Sequence, residues 1–274
     1  MLYSSRPSSD RTFIQKVCND ILSHTEVEKP HSDKYCFIYI EGRDREINCL
    51  EDVAAFKSTK VFSEYNYPIF LFCKNTSNLL GDPSLLKKWR INIIPVEGID
   101  SHQKYSDYCI KEMFYKIPYE IENIVTFQPD GMFINSGWEE WLEKENIDLI
   151  GSHWRHLAAI QVKDKDNWLS VSYNSVYGCN MGFSFRKASK IREISRFFGQ
   201  YTQREAGAPN DKVPPEDLFY SFWGYGSKIC KMPTLNQCDK WAIDPMDEDL
   251  YKEKTSFGFH FLKAKSEWPR CNHS

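Results

Sequence analysis

The chain has 274 residues, 41% hydrophobic and 27% charged, enough to bury the core of one large α/β domain or two small ones. Its net charge of −3 is spread over interleaved acidic and basic residues, which argues against a nucleic-acid partner. Nine cysteines without a C-x-x-C pair, no apolar leader, and apolar runs far below the roughly 20 residues that span a bilayer lead us to expect reduced thiols in a cytoplasmic protein with no transmembrane segment.

Residues 1–34 are polar and read as a variable N-terminal extension carrying one amphipathic helix around 12–23. Tyr35–Ile40 is a strand rich in aromatic and β-branched residues, closed by Glu41-Gly42-Arg43. Helical spacing over 47–65 puts Leu50, Val53, Ala54 and Phe56 on one side. A strand at 67–73, a turn-rich loop at 75–82, a short helix at 85–89 and a strand at 91–96 follow. Residues 101–115 read as a helix with Ser101 as N-cap. Ile124–Phe127 is the fourth strand, and strands alternating with helices at this pitch predict a parallel, helix-flanked sheet.

After Asp130 the rhythm changes. We expect a helix at 138–144, a strand end at 148–151, a polar loop or hairpin at 161–172, a strand at 178–186 and a helix at 187–201. A Pro/Gly/Asp-rich loop at 203–215 then leads to a helix at 216–223, and 257–260 is strand-like. The division expected is an extension over 1–34, one continuous domain over 35–265 and a tail over 266–274.

Several constellations carry chemistry. Gln128-Pro129-Asp130 ends an apolar strand on a turn, where a carboxylate either caps the strand or holds a cation bridging two phosphates. Pro214-Pro215-Glu216-Asp217 sets two carboxylates at a helix N-terminus, favourable for structure alone and equally suited to a general base. Gly178 and Gly182 flank Asn180, so the segment is a bulged strand edge or a close approach to a ligand. His260 in F-G-F-H is a core histidine or a metal or phosphate contact, and Trp154-Arg155 is an exposed loop or a sugar-stacking, pyrophosphate-binding pair. The 15% aromatic content fits a bulky core first and sugar stacking second. No G-x-S-x-G, G-x-G-x-x-G or G-K-[ST] motif occurs, which disfavours an α/β-hydrolase, a Rossmann dehydrogenase and a P-loop enzyme.

In order, strand–F-Q-x-D, D-L-I-G-x-x-W, G-x-x-G-F-S-x-R, E-D-x-x-F and F-G-F-H resemble a glycosyltransferase-like family. That family was first catalogued as a domain of unknown function and found in bacterial surface-polysaccharide gene clusters. The residues that match run from Phe127 through Asp148, Gly151, Ser184 and Phe219 to His260. The resemblance implies a GT-A-like single domain with a mostly parallel central sheet flanked by helices. It places Asp130 and Gln128 at the D-x-D position, Asp217 with Glu216 as the catalytic base of an inverting enzyme, and His260 with Asp130 as ligands of Mn²⁺ or Mg²⁺. It further places Glu41, Gly42 and Arg43 at the nucleotide, Arg155 and Arg186 at the diphosphate, and Trp154, Asn180 and Gly182 at the sugar or acceptor. Gln128 and Pro129 depart from the D-x-D pattern, and without a metal Arg155, Arg186 or His260 would neutralise the leaving diphosphate.

The implied activity is transfer of a sugar from a nucleotide-diphosphate donor, UDP-linked, to a hydroxyl of a glycan or lipid-linked glycan in O-antigen or capsule-type synthesis. A lipid-linked acceptor would bring the protein to the inner face of the cytoplasmic membrane. The rival readings are a glycoside hydrolase using Asp130 with Glu216 or Asp217, and a non-catalytic glycan-binding module.

Overall fold

A computed structural model describes residues 8–99, 101–164, 167–201, 203–205, 213–244 and 246–260. The elements in chain order are α1 (Ser8–Ser23), β1 (Tyr35–Glu41), α2 (Leu50–Val61), β2 (Ile69–Cys73), α3 (Ser84–Lys88), β3 (Ile91–Pro95), α4 (His102–Lys111), β4 (Asn123–Phe127) and β5 (Gly131–Phe133). They continue with α5 (Trp138–Glu145), β6 (Leu149–Asp164), β7 (Asn167–Lys187), α6 (Ala188–Phe198), β8 (Gln203–Glu205), α7 (Glu216–Ser227), α8 (Leu235–Trp241), β9 (Ala242–Ile243), α9 (Glu248–Glu253) and β10 (Gly258–His260).

The central sheet has seven strands in the order β3-β2-β1-β4-β7-β6-β8. Strands β3, β2, β1 and β4 pair in parallel, and from β4 to β8 every pairing is antiparallel. This is the helix-flanked α/β sheet expected, parallel over β3-β2-β1-β4 but antiparallel over β4-β7-β6-β8, so that half rather than most of its pairings are parallel. A second, three-stranded sheet joins β5, β10 and β9.

The burial of β1 and β2 follows from the two-residue strand period. Tyr35, Phe37 and Tyr39 with Ile69 and Leu71 face one apolar layer; Cys36 and Ile38 with Phe70 and Phe72 face the other. A strand covered on both faces reads as a continuous apolar run, which is why I-F-L-F-C has no polar alternation. Residues Phe13, Ile14, Val17, Cys18 and Ile21 of α1 belong to the first layer, as the amphipathic spacing predicts.

Much of the aromatic surplus lies inside. Phe133 stacks on Trp138 at 5.1 Å and Phe183 on Trp241 at 5.3 Å. Among the described residues no helix is long and apolar enough to cross a membrane.

Three stretches differ from the sequence expectation. The strand end at 148–151, the polar stretch at 161–172 and the strand at 178–186 are parts of one long β6–β7 hairpin. Residues 203–205 form a strand on its edge rather than the start of a loop. Helices α8 and α9 and strand β9 had no counterpart in the sequence reading. The ends of the chain, 1–7 and 261–274, lie outside the described residues.

Candidate active site

A cleft of about 500 Å³ opens at the C-terminal ends of β1 and β4, the edge where parallel α/β sheets place ligands. Its walls bring together Glu41 at the end of β1 with Gly42 and Arg43 just after it, Gln128, Pro129 and Asp130 from the turn after β4, Asn180 and Gly182 from β7, Glu216 and Asp217 from α7, and His260 from β10. Most of the sequence-predicted site residues therefore share one hollow. The start of α4, with Ser101, His102 and Tyr105, completes it.

Each wall has a local cause. Gly131 N donates to Gln128 O at 2.9 Å, closing a tight turn in which Pro129 occupies the position whose φ proline pre-sets. Ser101 caps α4 by accepting from Lys104 N. On β7 the pairing jumps from Gly151↔Ser184 to Ser152↔Asn180, so residues 181–183 bulge out of the ladder, and Asn180 and Gly182 enter the cleft. The glycine segment is thus both a bulge and a cleft wall. Below it, Thr126 Oγ1 bridges Met181 O and Ser184 Oγ, each at 2.7 Å, fixing β4 to β7.

Glu41 is buried, at 4% exposure, and its carboxylate is fully engaged. Oε1 accepts from Arg43 N at 3.0 Å and Arg43 Nε at 2.7 Å; Oε2 accepts from the Arg43 guanidinium at 2.6 Å and Arg45 Nε at 2.5 Å. Arg45 in turn forks onto Asp52 at 2.7 and 2.9 Å. Burial opposes ionisation of Glu41, yet the Arg43 fork and the Arg45 charge hold its carboxyl below the usual range. Glu41 therefore presents Arg43, whose side chain is half exposed.

Glu216 and Asp217 open α7 behind Pro215. Burial first, and the Asp217 charge second, push the Glu216 carboxyl up to about 7, against the pull of Arg186. Burial likewise raises Asp217, opposed by the Leu218 backbone N–H and the charges of His102, Arg186 and His260. Glu216 is buried and Asp217 half-buried, and a carboxylate pair raised in this way can accept a proton near neutrality.

Arg186 does not line the cleft. It is 1% exposed, with Nε on Ser184 Oγ at 3.1 Å and a terminal nitrogen on Met181 O at 3.3 Å. Its guanidinium lies 5.1 Å from the Phe114 ring centre and 5.6 Å from that of Tyr220. The expected diphosphate contact is thus a buried cation beneath the carboxylate pair, because the strand turns this side chain inward. Trp154 and Arg155 pair with Gly178 and Tyr177 along the hairpin, and their side chains lie outside the described residues.

Asp244, which sequence reasoning did not single out, stands behind His260. Its Oδ2 lies 3.0 Å from His260 Nδ1 and accepts from Asn180 Nδ2 at 3.0 Å. Burial works against a charged His260, but the Asp244 hydrogen bond and the charges of Asp130, Asp244 and Asp217 outweigh it and raise the imidazole. The signal was available in I-D-P at 243–245, a carboxylate ending an apolar pair before a proline.

The donor set does not fit a resident Mn²⁺ or Mg²⁺. Among the described residues no three His, Cys, Asp or Glu side chains form a metal-ligand group. Gln128 replaces a carboxylate, and the His260 Nδ1 is taken by Asp244. Asp130 is the one carboxylate of the Gln128–Asp130 turn.

A family model described as a protein of unknown function (DUF5672) matches residues 88–260. No curated protein matches the chain. Among solved structures, mouse xyloside xylosyltransferase 1 in its apo form aligns with a TM-score of 0.46 at 9% identity, over 90% of this chain and 100% of that one. The 4-diphosphocytidyl-2C-methyl-D-erythritol synthase of Anaerococcus prevotii aligns with a TM-score of 0.36 at 11% identity, over 69% and 82%. HddC from Yersinia pseudotuberculosis aligns with a TM-score of 0.30 at 13% identity, over 66% and 82%.

Proposed function

This chain belongs to the DUF5672 family, and we propose that it is an inverting glycosyltransferase that moves a sugar from a nucleotide-diphosphate donor to a glycan hydroxyl. The observation that carries this reading is the shared cleft. A carboxylate pair raised by burial, on a rigid helix start, faces the strand-end turn that holds Asp130 and the arginine presented by Glu41.

In this reading the nucleotide lies against Gly42 and Arg43, and its diphosphate runs toward Gln128, Asp130 and His260. Gly42 permits close approach of the chain, since a Cβ there would fall 2.2 Å from Ile99 O. Asp217, half-buried and backed by Glu216, takes the proton of the acceptor hydroxyl as that oxygen attacks the anomeric carbon. The bond from that carbon to the diphosphate oxygen breaks, and the negative charge leaves on the nucleoside diphosphate. Proton removal by a positioned carboxylate is worth about 10²–10⁴ in rate. The donor is taken as UDP-linked and the acceptor as a surface-polysaccharide or lipid-linked glycan. A lipid-linked acceptor would draw the protein to the inner membrane face.

The test is a thermal-shift panel of UDP, GDP, CDP and dTDP, with and without Mn²⁺, followed by transfer assays. One nucleoside diphosphate should raise the melting temperature, since only a ligand of the folded state does so. Asp217→Asn should keep that shift and lose transfer at least about 100-fold. No shift with any nucleotide, or release of free sugar from a glycan without nucleotide, would overturn the reading.

A further inference from the structure

The second sheet explains why a short, unremarked strand is kept at the back of the cleft. In β9 and β10 the parallel register runs Ala242↔Gly258 and Ile243↔Phe259, so the next step along both strands sets Asp244 beside His260. On the other edge of β10, the antiparallel register sets His260 opposite Gly131, directly after Asp130. The paired ends of β9 and β10 and the turn before β5 thus bring Asp244, His260 and Asp130 to one edge of the second sheet.

Asp244 is not part of the cleft wall. Its Oδ2 collects His260 Nδ1 at 3.0 Å, Asn180 Nδ2 at 3.0 Å and Ser152 Oγ at 3.4 Å. An imidazole has two ring nitrogens, and a carboxylate on one fixes which nitrogen faces outward. With Nδ1 committed, Nε2 is the nitrogen presented. It lies 2.2 Å from the point where a Cβ on residue 182 would sit, and Gln128 Oε1 lies 2.9 Å from the same point. The ring is therefore seated against the bulged backbone of β7, with Nε2 beside the Gln128–Asp130 turn.

Resting on the glycosyltransferase reading, we propose that Asp244 is a positioning residue that aims His260 Nε2 at the donor's diphosphate, so that the imidazole meets the charge of the leaving group. The imidazole stands where the residues present do not build a cation site. Carrying a proton on each nitrogen, the imidazolium donates Nδ1–H to Asp244 and Nε2–H to a phosphate oxygen, a charge-assisted bond that shortens as negative charge develops there. The raised His260 and the ring of carboxylates around it agree with this role.

The experiment measures binding by titration calorimetry in EDTA, using whichever of UDP, GDP, CDP and dTDP stabilises the wild type, alongside the matching free nucleoside. Wild type should bind the diphosphate without a metal. Asp244→Asn and His260→Gln should each weaken it about tenfold, the worth of one charge-assisted hydrogen bond. The double variant should lose no more than either single one, because both act through the same bond. Nucleoside affinity should stay unchanged, which a general loosening of the fold would not allow. Equal loss for nucleoside and diphosphate, additive loss in the double variant, or no binding in EDTA would overturn the inference. If Asp244→Asn does not fold, His260→Gln alone decides, and unchanged diphosphate affinity there overturns it. Failure of every nucleotide to bind wild type would instead sink the glycosyltransferase reading itself.

Discussion

His260 occupies the space that a side chain at Gly182 would need. A Cβ built on Gly182 would fall 2.2 Å from His260 Nε2 and 2.5 Å from its Cδ2, closer than any real contact. Gly182→Ala must therefore swing the imidazole away, and the 3.0 Å bond from Nδ1 to Asp244 goes with it. We expect a destabilisation of about 1–3 kcal/mol in urea unfolding and loss of diphosphate binding with nucleoside binding retained. Wild-type diphosphate affinity in Gly182→Ala would show that the ring is not placed by this contact.

The pH dependence of transfer should follow the α7 carboxylate pair. Burial raises both groups, and the Asp217 charge adds to it at Glu216, which reaches about 7; a base works only when deprotonated. The rate should therefore rise with pH through a limb near 7 that belongs to the pair as a unit. Glu216→Gln removes the like charge beside Asp217, so the limb should move to lower pH while activity above it persists. A limb that stays in place in Glu216→Gln would separate Glu216 from the proton transfer.

What could be read from the sequence depended on boundaries. The Q-P-D turn ends the apolar run of β4, the E-D pair opens the apolar run of α7, F-G-F-H is strand-like, and all three reach the cleft. Asp244 follows a strand of two residues, too short to show any period, and its place beside His260 comes from pairing with a distant strand. Arg186 was expected at the diphosphate because sequence cannot show that Thr126, Ser184 and the Met181 carbonyl form a polar pocket beneath the bulge. The length of the β6–β7 hairpin was hidden by its polar stretch, since 161–172 reads as a loop or short hairpin while its backbone continues the β6–β7 ladder.

Glu41 should act on donor binding through Arg43 rather than by touching the ligand. All four of its hydrogen bonds go to Arg43 and Arg45. Glu41→Gln exchanges one acceptor oxygen for an NH₂ that faces a guanidinium, and Arg43 loses its fork. Donor affinity should fall about tenfold, as a rise in KM with kcat nearly kept. A fall in kcat with unchanged KM would instead put Glu41 at the reacting atoms.

Stability carries a separate pH signature on the other side of the molecule, at Glu139 in the first turn of α5. This residue is 2% exposed. Its Oε1 accepts from Glu64 N at 2.7 Å, and Oε2 has no hydrogen-bond partner among the described residues. Burial pushes the carboxyl from 4.5 up to about 7. The folded state therefore holds a proton that the unfolded state gives up between those values. The stabilisation is complete below the lower value and is lost as pH rises through the upper one. Glu139→Gln keeps the acceptor toward Glu64 and carries no titrating group. The variant should gain on wild type by up to about 3 kcal/mol between pH 4.5 and 8 in urea unfolding, with nucleotide binding untouched. A difference between the two proteins that does not change with pH would mean that Glu139 is solvated and unperturbed.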